Sequence, residues 1–216
     1  SLANPGRQVV GDTQLLTFSN VANQKLAIQS NGAAEPLTLT LTVFKGTITL
    51  SQTTGLSFTT GDGTADATMT LSGTVANINA ALTNLVYDFN ETANPTTTSD
   101  TLLLTTPWSA SGGASGTITQ AVPIQIVKAP VITPINNIQI QPSATAPTRS
   151  FTVVDADNSP NQVTFTIASS NTALLPLSGI TLTPGTGASS STVGATANYL
   201  LSFSPTANQL GTSTVT

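Results

Sequence analysis

A chain of 216 residues is long enough for about two domains of roughly 100 residues each. Only 6% of its residues are charged while 38% are hydrophobic, and the net charge is −4. That excludes the low-hydrophobicity, high-charge composition of a disordered chain and leaves a folded protein with a polar, nearly uncharged surface. Five basic residues, Arg7, Lys25, Lys45, Lys128 and Arg149, are too scattered to make a stripe for phosphates, which argues against nucleic acid as a partner. The longest apolar runs, such as residues 102–104, are far too short to span a bilayer, so no membrane insertion is expected of this segment.

The pattern along the chain is that of short strands. Residues 14–18 and 25–29 read as opening strands. Leu37-Thr-Leu-Thr-Leu-Thr-Val-Phe44 then alternates strictly, with Leu37, Leu39, Leu41 and Val43 on one face and Thr38, Thr40 and Thr42 on the other, so one face of this strand is expected to be buried. Shorter strands follow at residues 47–50, 68–71, 85–89, 101–106 and 117–127, punctuated by Gly61-Asp-Gly63 and Ser111-Gly-Gly-Ala-Ser-Gly116. Residues 74–82 depart from this pattern. There Val75, Ile78, Ala81 and Leu82 recur at helical spacing behind Thr74, a suitable N-cap, and predict a short crossover helix.

Lys128-Ala-Pro-Val-Ile-Thr-Pro134 reads as a linker, with two prolines favouring extended backbone. Beyond it, strands are expected at residues 138–140, 150–154, 162–169, 180–183, 199–203 and 211–216, with a Ser/Gly-rich loop at 185–191. The two halves share a phrase. Leu85-Val-Tyr-Asp-Phe-Asn-Glu-Thr-Ala-Asn94 leads into Asp100-Thr-Leu-Leu-Leu-Thr, and Leu200-Leu-Ser-Phe-Ser-Pro-Thr-Ala-Asn208 leads into Gly211-Thr-Ser-Thr-Val-Thr216. The expectation is therefore an all-β chain of two tandem β-sandwich domains: residues 1–128, a linker at 129–134, and residues 135–216. The second domain lacks the part that follows residue 105 in the first, so it is expected to be truncated or completed by a strand from elsewhere. Continuation of the same polypeptide is the favoured repair. In the rival, a neighbouring subunit donates residues 8–18 and the protein polymerises.

These segments resemble the tandem cadherin-like and immunoglobulin-like repeats of large bacterial cell-surface and secreted, adhesin-type proteins. The resemblance is carried by Gly46-Thr-Ile-Thr-Leu50, Thr60-Gly-Asp-Gly63, Met69-Thr-Leu-Ser-Gly-Thr74, Ile78-Asn-Ala-Ala-Leu82 and Asp100-Thr-Leu102 in the first half. In the second it is carried by Ser169-Ser-Asn-Thr-Ala-Leu-Leu-Pro176 and Ser204-Pro-Thr-Ala-Asn-Gln-Leu-Gly211. It implies Ig-like and cadherin-like sandwiches at the cell surface or in the extracellular space. Members of that family often carry an acidic, calcium-binding stretch before the long strand. Here that position reads Gln29-Ser-Asn-Gly-Ala-Ala34, so the first domain is expected to fold without Ca²⁺.

Chemistry has little material to work with. The chain contains no His and no Cys, which removes Ser-His-Asp and Cys-His nucleophile systems, imidazole or thiolate metal sites, and any disulfide scaffold. A two-carboxylate glycosidase would have to use Asp88 with Glu91 or Asp62 with Asp66, and no enzymatic role is expected. Asp155 and Asp157, in Asp155-Ala-Asp-Asn158, are the candidate Ca²⁺ ligands; the competing reading is an Asx-capped turn before Ser159-Pro160. No cofactor is required. Repeated Thr-x-Thr pairs would make an ice-binding face if they stacked in register, but their irregular sequence intervals point to ordinary outward strand faces. Trp108 reads as core, with an exposed sugar-stacking ring as the alternative. Asn90-Glu-Thr92 matches an N-glycosylation pattern in a loop.

The function this supports is structural: an extender, filament or surface-layer building block whose partners are neighbouring repeats or copies of itself. The rivals are a carbohydrate- or receptor-binding adhesin module, which leaves glycans as partners, and a decoration domain of a phage particle.

Overall fold

The computed structural model describes residues 1–29, 36–109, 113–141 and 146–216. The calcium expectation at residues 30–34 and the turn at 111–112 lie outside the described residues. Strand makes up 42% of the chain and helix 7%, so the chain is all-β. It divides into two compact units, Ser1–Val127 and Lys128–Thr216.

In the first unit the strands are β1 (Leu2–Ala3), β2 (Gln8–Gly11), β3 (Leu15–Phe18), β4 (Ala27–Ile28), β5 (Leu37–Thr42), β6 (Gly46–Thr49), β7 (Leu56–Thr60), β8 (Thr68–Gly73), β9 (Leu85–Phe89), β10 (Ser99–Ser109) and β11 (Ser115–Val127). They form a six-stranded sheet in the order β2-β11-β10-β5-β8-β7, a three-stranded sheet β3-β9-β6, and a β1-β4 pair. Only β2 runs parallel to its neighbour, β11; every other pair is antiparallel. One core joins both larger sheets: Leu39, Leu41, Met69, Leu71, Leu102 and Leu104 meet Phe18, Ile48, Leu85 and Tyr87, all essentially inaccessible to water. The alternation of β5 explains its share, since a period of two turns Leu39 and Leu41 inward and leaves the threonines between them outward. The helix α1 (Val75–Leu82) sits where its spacing predicts. Thr74 caps it by accepting from the Asn77 N–H at 3.2 Å, and Ile78, Ala81 and Leu82 are buried.

A buried carboxylate links the sheets. Asp100, on β10, accepts from the backbone N–H of Phe44 (3.1 Å), Lys45 (2.9 Å) and Thr101 (2.7 Å) and from the phenol of Tyr87 on β9 (2.8 Å). Each donor compensates part of the desolvation that burying a charge incurs. Burial, with the Asp100 hydrogen bond next, pushes the Tyr87 hydroxyl well above its ordinary pKa, so it remains a donor at all working pH values. Beside it the chain needs Gly46, because a Cβ there would lie 2.2 Å from the Asp88 carbonyl oxygen and 2.8 Å from the Tyr87 ring.

The second unit contains β12 (Val131–Ile132), β13 (Thr148–Val154), β14 (Ile180–Pro184) and β15 (Ala197–Phe203) in one antiparallel sheet of order β12-β13-β15-β14. Its core is Phe151, Val153, Leu175, Tyr199, Leu201 and Phe203, with Phe165 set edge-on to Phe151 and Tyr199 at centroid distances of 6.0 and 4.8 Å. The shared phrase has a structural counterpart: β9 lies between β3 and β6 as β15 lies between β13 and β14.

Several expectations need correction. Residues 129–134 are not a free linker, because Val131 and Ile132 pair with Val154 and Val153; the flanking prolines favour the extended backbone an edge strand also uses. Residues 8–18 are not a spare donor, since β2 and β3 are hydrogen-bonded in their own unit and Val10, Leu16 and Phe18 are buried there. The expectation that a missing strand leaves part of the core face of Phe165, Ile167, Leu201 and Phe203 uncovered fails for Leu201 and Phe203, which are buried, while Phe165 and Ile167 are half-buried. Residues 138–140 and 162–167 carry the expected alternation but enter no ladder among the described residues.

Replacing Tyr87 with Phe removes one donor from a buried carboxylate and is expected to destabilise the first unit by about 1–3 kcal/mol. Chemical denaturation of the variant against the parent measures this, and an unchanged midpoint would show that Asp100 does not depend on the phenol.

Candidate functional site

Asp155 ends up just past β13, where the chain leaves the sheet and turns. Its Oδ1 accepts from the N–H of Asp157 and of Asn158, both at 3.2 Å, and its Oδ2 accepts from the Asn158 side-chain amide at 3.2 Å. Asp157 Oδ1 accepts from the Lys128 N–H at 3.0 Å. Ser159 and Gln162 then form a reciprocal capping box around the single 3₁₀ turn Pro160–Gln162. These are the bonds of a capped turn: the Asp155 oxygens are directed at donors of the loop itself, and Asp157 ties the loop to the backbone at Lys128. The two candidate ligands are thus brought together, and among the described residues no group of three or more acidic or otherwise metal-ligating side chains forms. Burial, followed by the neighbouring Asp155 carboxylate, raises the Asp157 pKa above the ordinary carboxylate value.

Asp62 and Asp66, also singled out by sequence, are engaged locally. Asp66 Oδ2 accepts from the N–H of Asp62 (3.0 Å) and Gly63 (2.8 Å), and Asp62 Oδ1 accepts from the Thr64 N–H (2.9 Å), which makes this pair a hairpin turn. Asp88 is exposed on β9 opposite Leu15 and Thr47. Asn90 is exposed in a turn, its side-chain oxygen accepting from the Ala93 N–H at 3.0 Å.

Two surface features were not legible in the sequence. Trp108, expected in the core, is 43% exposed. It stands near the far end of the β10–β11 hairpin opposite Gly116, where a Cβ would lie 2.8 Å from the indole nitrogen, so the ring lies against bare backbone. The second feature is a row of hydroxyls. Strand register places Thr119 opposite Thr105, Thr105 opposite Thr40, Thr40 opposite Thr70 and Thr70 opposite Thr60, across β11, β10, β5, β8 and β7. Adjacent hydroxyls in this row lie 3.4 Å (Thr105 to Thr119) and 3.0 Å (Thr40 to Thr70) apart. Beside it Thr42 faces Thr68 at 3.4 Å, and Thr38 and Ser57 both flank Ser72. Irregular intervals along the chain hid this row, because register across strands is set by pairing and not by sequence spacing.

No protein-family model matches the chain, and no curated protein matches it. Among solved structures, the complex of the chaperone CsuC with the tip adhesion subunit CsuE of the archaic chaperone-usher Csu pili of Acinetobacter baumannii aligns over 100% of this chain and 98% of that one. The identity is 10% and the TM-score 0.33. A likeness of that degree leaves the fold to rest on the chain's own strands.

The Asp157 shift has a definite sign. A carboxyl whose folded pKa is raised holds its proton more tightly in the native state, so its contribution is fully present below the unfolded pKa and is lost as pH rises from there through the folded pKa. Asp157→Asn keeps an oxygen for the Lys128 N–H and presents an amide donor to Asp155. It is expected to raise the melting temperature of the second unit at neutral pH and to flatten the fall in stability that sets in as pH rises above the ordinary carboxylate pKa of about 4. Melts across that fall decide it, and a variant less stable at pH 7 would contradict the assignment.

Proposed function

We propose that this chain is a structural module of an extracellular or cell-surface assembly, without catalytic activity, that packs against neighbouring copies as an extender, filament or surface-layer block. The observation that supports it best is the outer face of the six-stranded sheet, a hydroxyl-rich surface of Thr and Ser whose strand positions carry no charged side chain. A face of this kind meets a second copy without like-charge repulsion and offers hydroxyls on both sides as donors and acceptors. Two units in tandem suit an array, because each carries its own core and spaces its neighbours. The absence of His and Cys, and the use of Asp62, Asp66, Asp100 and Asp155 as turn and sheet ties, support a role other than catalysis.

A carbohydrate-binding reading draws support from the exposed Trp108 ring, since an accessible indole face is a surface on which a sugar stacks. Binding to a glycan array that is lost in Trp108→Ala would favour this reading.

Self-association measured by sedimentation across a concentration series tests the structural reading. It is expected to change little between about 0.05 and 0.5 M salt, because few charges take part. Thr68→Lys combined with Thr119→Lys is expected to weaken it about tenfold while leaving the melting temperature nearly unchanged, since both side chains are exposed. A chain that stays monomeric throughout, or association indifferent to the two lysines, would overturn packing through this face.

A further inference from the structure

Asn90-Glu-Thr92 is the chain's one Asn-x-Ser/Thr triplet without proline at its centre. It begins one residue past β9, where the chain turns toward β10. The N–H of Asn90 donates to the Lys45 carbonyl (2.9 Å), the N–H of Asn94 is shared between the carbonyls of Asn90 and Glu91 (both 3.1 Å), and the N–H of Ala93 donates to Asn90 Oδ1 (3.0 Å). The last of these is a side-chain cap. It fixes the carboxamide by its oxygen, so that Nδ2 is the end left to solvent. Asn90 and Thr92 are both exposed, and among the described residues no acceptor takes the Asn90 Nδ2 hydrogens and no partner holds the Thr92 hydroxyl.

Asn94, four residues on, is the contrast. It heads a second triplet with Thr96 that Pro95 interrupts, it is half-buried, and its Nδ2 donates to the carbonyls of Asn90 (3.0 Å) and Lys45 (3.3 Å). Its amide is used in holding the turn, and that of Asn90 is not. Asp88, exposed two residues before Asn90, adds a carboxylate that a cationic group of a modifying enzyme can hold.

We propose that Asn90 is the acceptor of an N-linked glycan. In this step Asn90 Nδ2 forms a C–N bond to C1 of an oligosaccharide carried on a lipid pyrophosphate, the C1–O bond to phosphate breaks, the pyrophosphate leaves with the electron pair, and the amide gives up one proton to a base of the transferase. Thr92 supplies the hydroxyl by which such an enzyme reads the triplet. Asn90 follows β9 of the three-stranded sheet, across the core from the six-stranded sheet, so a glycan there leaves the hydroxyl face uncovered. The proposal rests on the extracellular reading for the compartment in which the sugar is added. Transfer in vitro reads the site by itself, so its failure is distinct from a failure of self-association.

The test incubates the folded 216-residue chain with an oligosaccharyltransferase and a lipid-pyrophosphate-linked oligosaccharide, beside a short peptide acceptor that shows the enzyme to be active, and maps the products by peptide mass spectrometry. The folded chain is expected to gain a glycan on Asn90. Asn90→Gln and Thr92→Ala are expected to abolish it and Thr92→Ser to keep it, the two Thr92 variants melting close to the parent because that side chain is exposed. Pro95→Ala removes the block from the second triplet, yet Asn94 is expected to be modified about tenfold less than Asn90, since its amide must first leave both carbonyls. No glycan on the folded chain, a glycan that survives Thr92→Ala, or equal modification of Asn94 in Pro95→Ala would overturn the site.

Discussion

The first unit is organised around one buried carboxylate. In a chain with so few charges, Asp100 is held by backbone donors from the β5–β6 connection, by its neighbour Thr101 and by Tyr87 from the opposite sheet. Removing any of these leaves a buried charge short of a partner, so the connection, the start of β10 and the position of β9 are fixed together. In the second unit the buried carboxylate described is Asp155, whose donors come from its own loop, Asp157 and Asn158, and not from a second sheet. The position aligned with Asp100 is Gly211, at φ +147°, and the segment after it is bonded to residues 168–171 through Thr212, Ser213, Thr214 and Thr216.

Strands whose alternation is strong in one dimension were readable from the sequence. Residues 37–44, 85–89 and 199–203 place apolar side chains on every second position, and burial then sets which face turns inward. The helix was readable for the same reason, its apolar spacing changing from two to about 3.6 behind a Thr cap. Features that depend on a partner were not. β7 has a half-exposed pattern typical of an edge and β12 is two residues between prolines, so neither carries a periodic signal. Residues 138–140 and 162–167 show the converse, a clear alternation without a ladder among the described residues, because the pattern reports which face is buried and not whether a neighbour is present.

The surface features were hidden for related reasons. A lone Trp in a sandwich is ordinarily core, but Trp108 falls where the β10–β11 hairpin runs beyond its pairing with β5, and Gly116 opposite leaves room for the ring. The Thr row exists only through register across several strands. For Asp155 and Asp157 the local sequence was enough to name the residues, while the direction of the surrounding N–H groups was needed to see a capped turn. What emerges is a molecule whose polar groups mostly hold its own loops and sheets, beside one sheet face of Thr and Ser without charged side chains.

The chain is made of two β-units, each with a core of its own, and the first carries the larger core and the Asp100 tie. Pulling single molecules from their two ends tests it most directly. The account predicts two separate unfolding events: a weaker one lengthening the chain by about 300 Å as residues 128–216 open, and a stronger one of about 400 Å for residues 1–127. A single event spanning the whole chain, or a second unit that resists more force than the first, would contradict it.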